Sequence, residues 1–158
     1  MIKVKVVGAS GYGGIGIIEL LLKHPEAKLT SLVAMESVGM PISQIWPHLM
    51  GFCDMEVTSP DDPRAQEPAD VVFMATPDRV GMNNAAAELA KGAKIIDYSG
   101  DFRFNTAEEY AEYATRIGKD PIHAAPDLLP LSVYGAPELH RADINVDRQI
   151  VGNPGCFA

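Results

Sequence analysis

With 158 residues, 47% of them hydrophobic and 22% charged, the chain has the length and composition of one globular domain. A formal charge of −8 without any basic stretch argues against a nucleic-acid partner, since nothing is available to neutralise phosphates. Two widely spaced cysteines, no signal-peptide pattern ahead of the first strand and no apolar run near the ~20 residues of a membrane span point to the reducing cytoplasm.

In chain order, Ile2 to Val7 is apolar apart from Lys3 and Lys5 and predicts a strand buried in a parallel sheet. A glycine-rich turn, Gly8-Ala9-Ser10-Gly11-Tyr12-Gly13-Gly14, follows. Ile15, Ile17, Ile18, Leu20, Leu21 and Leu22 then predict a helix ending near His24-Pro25, and Lys28 to Ala34 a second strand. Residues 36–68 hold several prolines and the lone Trp46, and read as irregular with one short helix. The alternation resumes with a strand over Ala69 to Ala75, an alanine-rich helix over Val80 to Ala90 and a strand over Lys94 to Asp97. A helix over Thr106 to Arg116 has Thr106 as N-cap and Glu109 in capping-box position. Pro121 to Pro130 reads as a loop. Strands alternating with helices predict an α/β fold: a doubly wound, mostly parallel, Rossmann-type sheet with helices on both faces, forming one domain over 1–158.

Three places carry chemistry. Gly8, Gly11 and Gly14 are spaced G-x-x-G-x-x-G inside a β–turn–α–β unit. Glycine there lets the backbone approach a pyrophosphate while the helix offers its N–H groups; the bland alternative is a tight turn needing positive φ. After the second strand stands Glu36 with no arginine nearby, which leaves the choice between NAD and NADP open. Asp97-Tyr98-Ser99-Gly100-Asp101-Phe102-Arg103 leaves the carboxyl end of a strand, so Arg103 and Ser99 are candidates for a phosphate or carboxylate; the alternative is an Asp101–Arg103 surface pair with Ser99 satisfying the turn. Cys156 follows Pro154-Gly155, a pair that breaks regular structure and exposes a side chain. Cys53 lacks a supporting motif and reads as a small hydrophobe. His24, His48, His123 and His140 have no metal-ligand spacing and read as structural, with the loop from His123 to Asp127 the one to watch.

Taken together, Val7 to Gly14, Asp97 to Arg103, Tyr134-Gly-Ala-Pro-Glu-Leu-His-Arg141 and Gly152-Asn-Pro-Gly-Cys156 resemble N-acetyl-γ-glutamyl-phosphate reductases of arginine biosynthesis, in the family's order across the whole chain. The resemblance implies a Cys156 thiolate that attacks an acyl phosphate, releasing phosphate and leaving a thioester, which NADPH reduces to an aldehyde. It implies cofactor binding at Gly8, Ser10, Gly11, Tyr12, Gly13 and Gly14, and phosphate contacts at Ser99 and Arg103. Asn153 and Gly155 would shape the turn that carries the thiol. Gly13 stands where a threonine is frequent, and Glu36-Ser37 where Ser-Arg is expected, so NAD remains possible beside NADP. Family members are about twice as long, with a substrate domain, a catalytic histidine and a homo-oligomeric assembly. Read as it stands, the chain resembles the cofactor-binding front half, and turnover by these residues alone is not expected. The related reductase of carrier-protein-bound aminoadipyl phosphate in lysine biosynthesis, and a non-catalytic nucleotide-binding module, are the alternative readings.

Overall fold

The computed structural model describes residues 1–156. The chain divides into two compact units, Met1–Ala75 and Thr76–Ala158. The first is built on β1 (Ile2–Val7), α1 (Tyr12–Leu21), β2 (Ala27–Val33), a single helical turn α2 (Ile42–Ile45), β3 (Val57–Thr58) and β4 (Val71–Met74). Its strand order is β3-β2-β1-β4, every neighbour parallel. β1 is therefore central. Val4 and Val6 lie in a core that they share with Ile15 and Ile18 of α1, Leu32 of β2, and Ile42 and Leu49 beyond it.

α1 stops where the sequence turns polar and prolyl. His24 accepts through Nδ1 from the amides of Glu26 (3.2 Å) and Ala27 (3.0 Å), closing the turn into β2. The segment expected to be irregular contains the short strand β3, whose two residues pair with Leu32 and Val33. No periodicity can mark a strand that short; it exists because β2 offers it a free edge.

The second unit contains α3 (Val80–Ala90), β5 (Lys94–Asp97), α4 (Ala107–Arg116), β6 (Ser132–Tyr134), the short helical turn α5 (Pro137–His140) and β7 (Ile150–Gly152). Its strands run β5-β7-β6, again parallel. β6 and β7 were not evident from sequence, where three-residue strands show no pattern. The loop expected from Pro121 to Pro130 ends in a 3₁₀ turn over Pro126–Leu131. The N-cap of α4 is as expected: Thr106 Oγ1 accepts from the Glu109 amide at 3.2 Å, while Glu109 reaches back to the amide of Asn105 at 3.1 Å. Parallel strands joined through helices make this a Rossmann-like α/β fold. Among the described residues no helix is long and apolar enough to cross a membrane.

Candidate functional site

The order β3-β2-β1-β4 reverses direction between β1 and β4, and the glycine-rich turn leaves β1 at that point. The amides of Gly8 and Ala9 both donate to the carbonyl of Val33, at 2.8 and 3.1 Å, so the end of β2 is tied to the turn. Alike in sequence, the three glycines are held by different constraints. Gly8 needs its freedom of conformation, with φ of 86°. At Gly14 the limit is space: a Cβ would lie 2.2 Å from the Gly8 carbonyl oxygen and 2.7 Å from Ala9 Cα. Gly11 meets neither limit, with φ of −86° and a nearest neighbour at 3.6 Å.

The first N–H groups of a helix have no acceptor within it. In α3 that role is taken by Asp101, whose carboxylate accepts from the amides of Arg79 (2.9 Å) and Met82 (3.0 Å). In α4 it is taken by Thr106. α1 has Gly11 as N-cap with no side-chain cap bond and no acidic residue in its first turn. Of these three helices only α1 therefore offers its N-terminus to an anion, the arrangement a pyrophosphate requires. Gly11, Tyr12 and Gly13 are exposed there, and Ser10 is half-buried. The Tyr12 ring lies 5.4 Å from that of Trp46. Beyond β2, Glu36 is exposed and Ser37 takes a left-handed φ of 59°.

In the second unit, Asp97 ends β5 and is fully buried, as is Asp101. Ser99 is also buried; its hydroxyl donates to Asp97 Oδ2 (2.6 Å) and accepts from the Asp101 amide (3.1 Å). The hydroxyl is thus committed inside the loop. The alternative of an Asp101–Arg103 surface pair does not hold: Asp101 is buried on the amides of α3, because amide donors at a helix N-terminus satisfy a desolvated carboxylate. Asp78 makes the reciprocal bond, accepting from the Gly100 amide at 2.9 Å and from Lys119. These two carboxylate–amide bonds lock the loop before α3 to the loop after β5, with Arg79 held at a left-handed φ of 76°. Asp78 and Arg79 were not singled out from sequence; the available signal was that they follow a buried strand at its carboxyl end.

Burial pushes the Asp97 carboxyl up to about 7 despite the Ser99 hydroxyl, and the neighbouring Asp101 adds to the effect. Its Oδ1 is buried without a hydrogen-bond partner. Gly81 of α3 makes this burial possible, because a Cβ there would lie 2.5 Å from Asp97 Oδ1 and 3.3 Å from Asp101 Oδ2. Gly81→Ala is accordingly expected to destabilise the chain by ~2 kcal/mol, where an open helical site would gain from the same change; chemical denaturation measures the sign.

His123 is buried against the rings of Phe102 and Tyr110. Since the Asp101 carbonyl can only accept, Nε2 carries the proton and donates to it at 3.0 Å, while Nδ1 accepts from the Ala125 amide at 3.1 Å. Burial holds this imidazole below its ordinary value. Both ring nitrogens are used, as a structural histidine requires. Among the described residues no group of His, Cys, Asp and Glu could hold a metal ion.

The turn from Asn153 to Cys156 leaves β7. Asn153 donates its amide to the Asp97 carbonyl (2.8 Å), and its side-chain Nδ2 donates to the Pro154 carbonyl (3.1 Å). Arg103 donates through Nε to the Asn153 carbonyl and through Nη2 to the Tyr98 carbonyl, both at 2.8 Å. Cys156 is a free, exposed thiol, whereas Cys53 is buried in the core. The expectation that Phe157-Ala158 would not continue as a helix concerns residues outside those described. Arg103, Ser99 and Asn153 are thus gathered around one turn, with Ser99 facing inward and Cys156 outward.

Comparison with known proteins places these features in a family. The family described as semialdehyde dehydrogenase, NAD binding domain, matches residues 3–146. Proteins named N-acetyl-gamma-glutamyl-phosphate reductase are similar over 99% of the chain, at 38% identity in Citrifermentans bemidjiense and 41% in Herminiimonas arsenicoxydans. The chain spans 43% and 44% of their lengths. Among solved structures, aspartate semialdehyde dehydrogenase II from Vibrio cholerae, complexed with ASA, is similar in fold with a TM-score of 0.68 at 18% identity, over 99% of this chain and 42% of that one. The aspartate semialdehyde dehydrogenase with NADP from Candida albicans gives a TM-score of 0.55 at 21% identity, over 78% of this chain and 41% of that one. With a glycine turn that leaves one helix N-terminus open and a family match across nearly its whole length, the chain belongs to the semialdehyde dehydrogenase NAD-binding domain family.

Proposed function

We propose that residues 1–158 form the nicotinamide-nucleotide domain of a reductase that converts N-acetyl-γ-glutamyl phosphate to N-acetylglutamate semialdehyde and phosphate, in the cytoplasm and as a homo-oligomer. The observation that carries this reading is the identity of about 40% with reductases of that name along 99% of the chain. The glycine turn supports it physically. The turn Gly8, Ser10, Gly11, Tyr12, Gly13 and Gly14 leads into a helix N-terminus that no side chain caps, and the space that a side chain at Gly14 would need is already filled by backbone, so turn and helix pack without a gap. A nicotinamide nucleotide held there would supply a hydride to an acyl carbon. NADP is the form we assign, and Glu36, a carboxylate after β2, is the feature that would favour NAD instead.

Cys156 acts as nucleophile. Its thiolate attacks the acyl carbon, the carbon–oxygen bond to phosphate breaks, phosphate leaves with the electron pair, and a thioester remains. The aldehyde leaves after reduction of that thioester, and the thiolate is restored. Arg103 keeps its Nη1 edge for the phosphate, since both carbonyls it holds are taken by Nε and Nη2. Asn153 shapes the turn, and Ser99 serves by fixing Asp97 and Asp101.

Trp46 is the only tryptophan and touches Tyr12 of the glycine turn, so its fluorescence reports occupancy of that turn. Titration with NADPH and with NADH is expected to change it saturably, more tightly for NADPH. Tighter binding of NADH assigns the preference to Glu36 instead. A folded chain that answers to neither nucleotide overturns the reading.

A further inference from the structure

Arg103 touches the thiol-bearing turn through backbone alone. Its two 2.8 Å bonds end on the carbonyls of Tyr98, which follows β5, and Asn153, which follows β7. A Cβ on Gly155 would lie 3.3 Å from Nη1, so the guanidinium lies directly against the residue that precedes Cys156. The peptide at Gly152 is equally close to this segment: a Cβ there would meet the Phe102 carbonyl oxygen at 2.2 Å. The Asn153 amide adds a bond to the Asp97 carbonyl. Among the described residues no carboxylate forms an ion pair with Arg103. Its charge influences Asp97 and Asp78 from a distance only.

We propose that Arg103 is a positioning residue for Cys156: its planar fork ties the ends of β5 and β7 together, and so sets the path of the Asn153–Cys156 turn, independently of any contact with substrate. This deepens the functional reading, which assigns the remaining Nη1 edge to phosphate. Two carbonyls on separate segments, met at the same distance by Nε and Nη2, need a donor with two N–H groups in fixed divergence. An ammonium on a flexible stem carries the same charge but cannot hold both in one geometry.

The test is amide hydrogen exchange on the full chain, comparing the segment at 150–156 with β1 as internal reference. In Arg103→Lys the Asn153 amide is expected to exchange about 10- to 100-fold faster, the loss of a charge-assisted bond, while β1 is unchanged. In Arg103→Ala the same acceleration is expected, and guanidinium ion at a non-denaturing concentration should reverse it where methylammonium does not. Exchange in Arg103→Lys at the unaltered rate overturns the proposal, because charge alone would then suffice. So does an alanine variant indifferent to guanidinium. Should the alanine variant fail to fold, the lysine variant decides. A second readout is acylation of Cys156 by acetyl phosphate, followed by intact mass: Arg103→Lys is expected to slow thioester formation even at saturating acetyl phosphate, where loss of a phosphate contact alone would not. If the unaltered chain is not acylated at all, the functional reading fails on its own, and the exchange rates still decide the clamp.

Discussion

Gly14→Ala is expected to destabilise the chain by ~3 kcal/mol or more and to abolish nucleotide binding at the turn. The added methyl would sit 2.2 Å from the Gly8 carbonyl oxygen and within 2.9 Å of two Ala9 backbone atoms. None of these is the far end of a flexible side chain. Ala9 is completely buried, and the amides of Gly8 and Ala9 are tied to Val33, so relief requires α1 to back away from β1. That movement would displace the open amides of α1 from wherever they hold an anion. Gly16→Ala, two residues further along the same helix, supplies the opposite sign. A Cβ there meets nothing within 4 Å, and the change is expected to stabilise by up to ~1 kcal/mol through helix propensity. Denaturant unfolding of both variants, with Trp46 as probe, measures the pair. A Gly14→Ala chain that unfolds and binds nucleotide like the unaltered one would refute the close-packed turn.

Stability is expected to fall as the pH rises from about 4 to about 7, and Asp97 is the cause. Its carboxyl, pushed up to about 7 by burial against an ordinary value of 3.8, keeps its proton in the folded chain over a range where the unfolded chain has lost it. The stabilising contribution is therefore complete below about pH 4, and it is lost as the pH rises through the folded value. Three pH units of separation set an upper bound of ~4 kcal/mol. Other groups act on the acid side. Burial raises the Asp78 carboxyl, but the Gly100 amide and Lys119 outweigh it and hold it below its ordinary value, so its contribution is lost as the pH falls. His123, lowered mainly by burial, also favours the fold above its ordinary 6.5 and withdraws that contribution in acid. A fall in stability with rising pH between about 4 and 7 is thus specific to Asp97, since Asp78 and His123 act with the opposite sign. Asp97→Asn is expected to flatten it, whatever the variant's absolute stability. A fall over this range that survives in Asp97→Asn would assign it to another group, and a chain whose pH dependence the substitution leaves unchanged would contradict the burial.

The elements with long apolar or periodic patterns were legible in the sequence. β1, α1, β2, α3, β5 and α4 lie within one or two residues of their expected places, except at the two ends of α1, because each carries its own periodicity, turn or cap. The strands β3, β6 and β7 were not legible, since two or three residues hold no pattern and such strands exist only because a neighbour offers an edge. The residues around the candidate site were legible as types: glycines after a strand, a Ser–Asp–Arg segment at a strand end, and a cysteine after Pro-Gly. Their division of labour was not. The sequence presents Gly8, Gly11 and Gly14 as equals, and only packing separates the one that needs a positive φ from the one that lacks room for a methyl. The sequence allowed Asp101 a surface pair with Arg103, yet it is buried on amides of α3 that lie 19 and 22 residues away, while Ser99 is buried on its near neighbours Asp97 and Asp101. Local chemistry therefore determined the parallel α/β alternation and the list of reactive groups, because those follow from residue type and short-range spacing, while the family rested on the resemblance of whole motifs. Only the tertiary structure decided which carboxyl loses its water, which helix N-terminus stays open and which carbonyls Arg103 holds, because desolvation and hydrogen-bond partnership depend on residues that the fold brings together from distant parts of the chain.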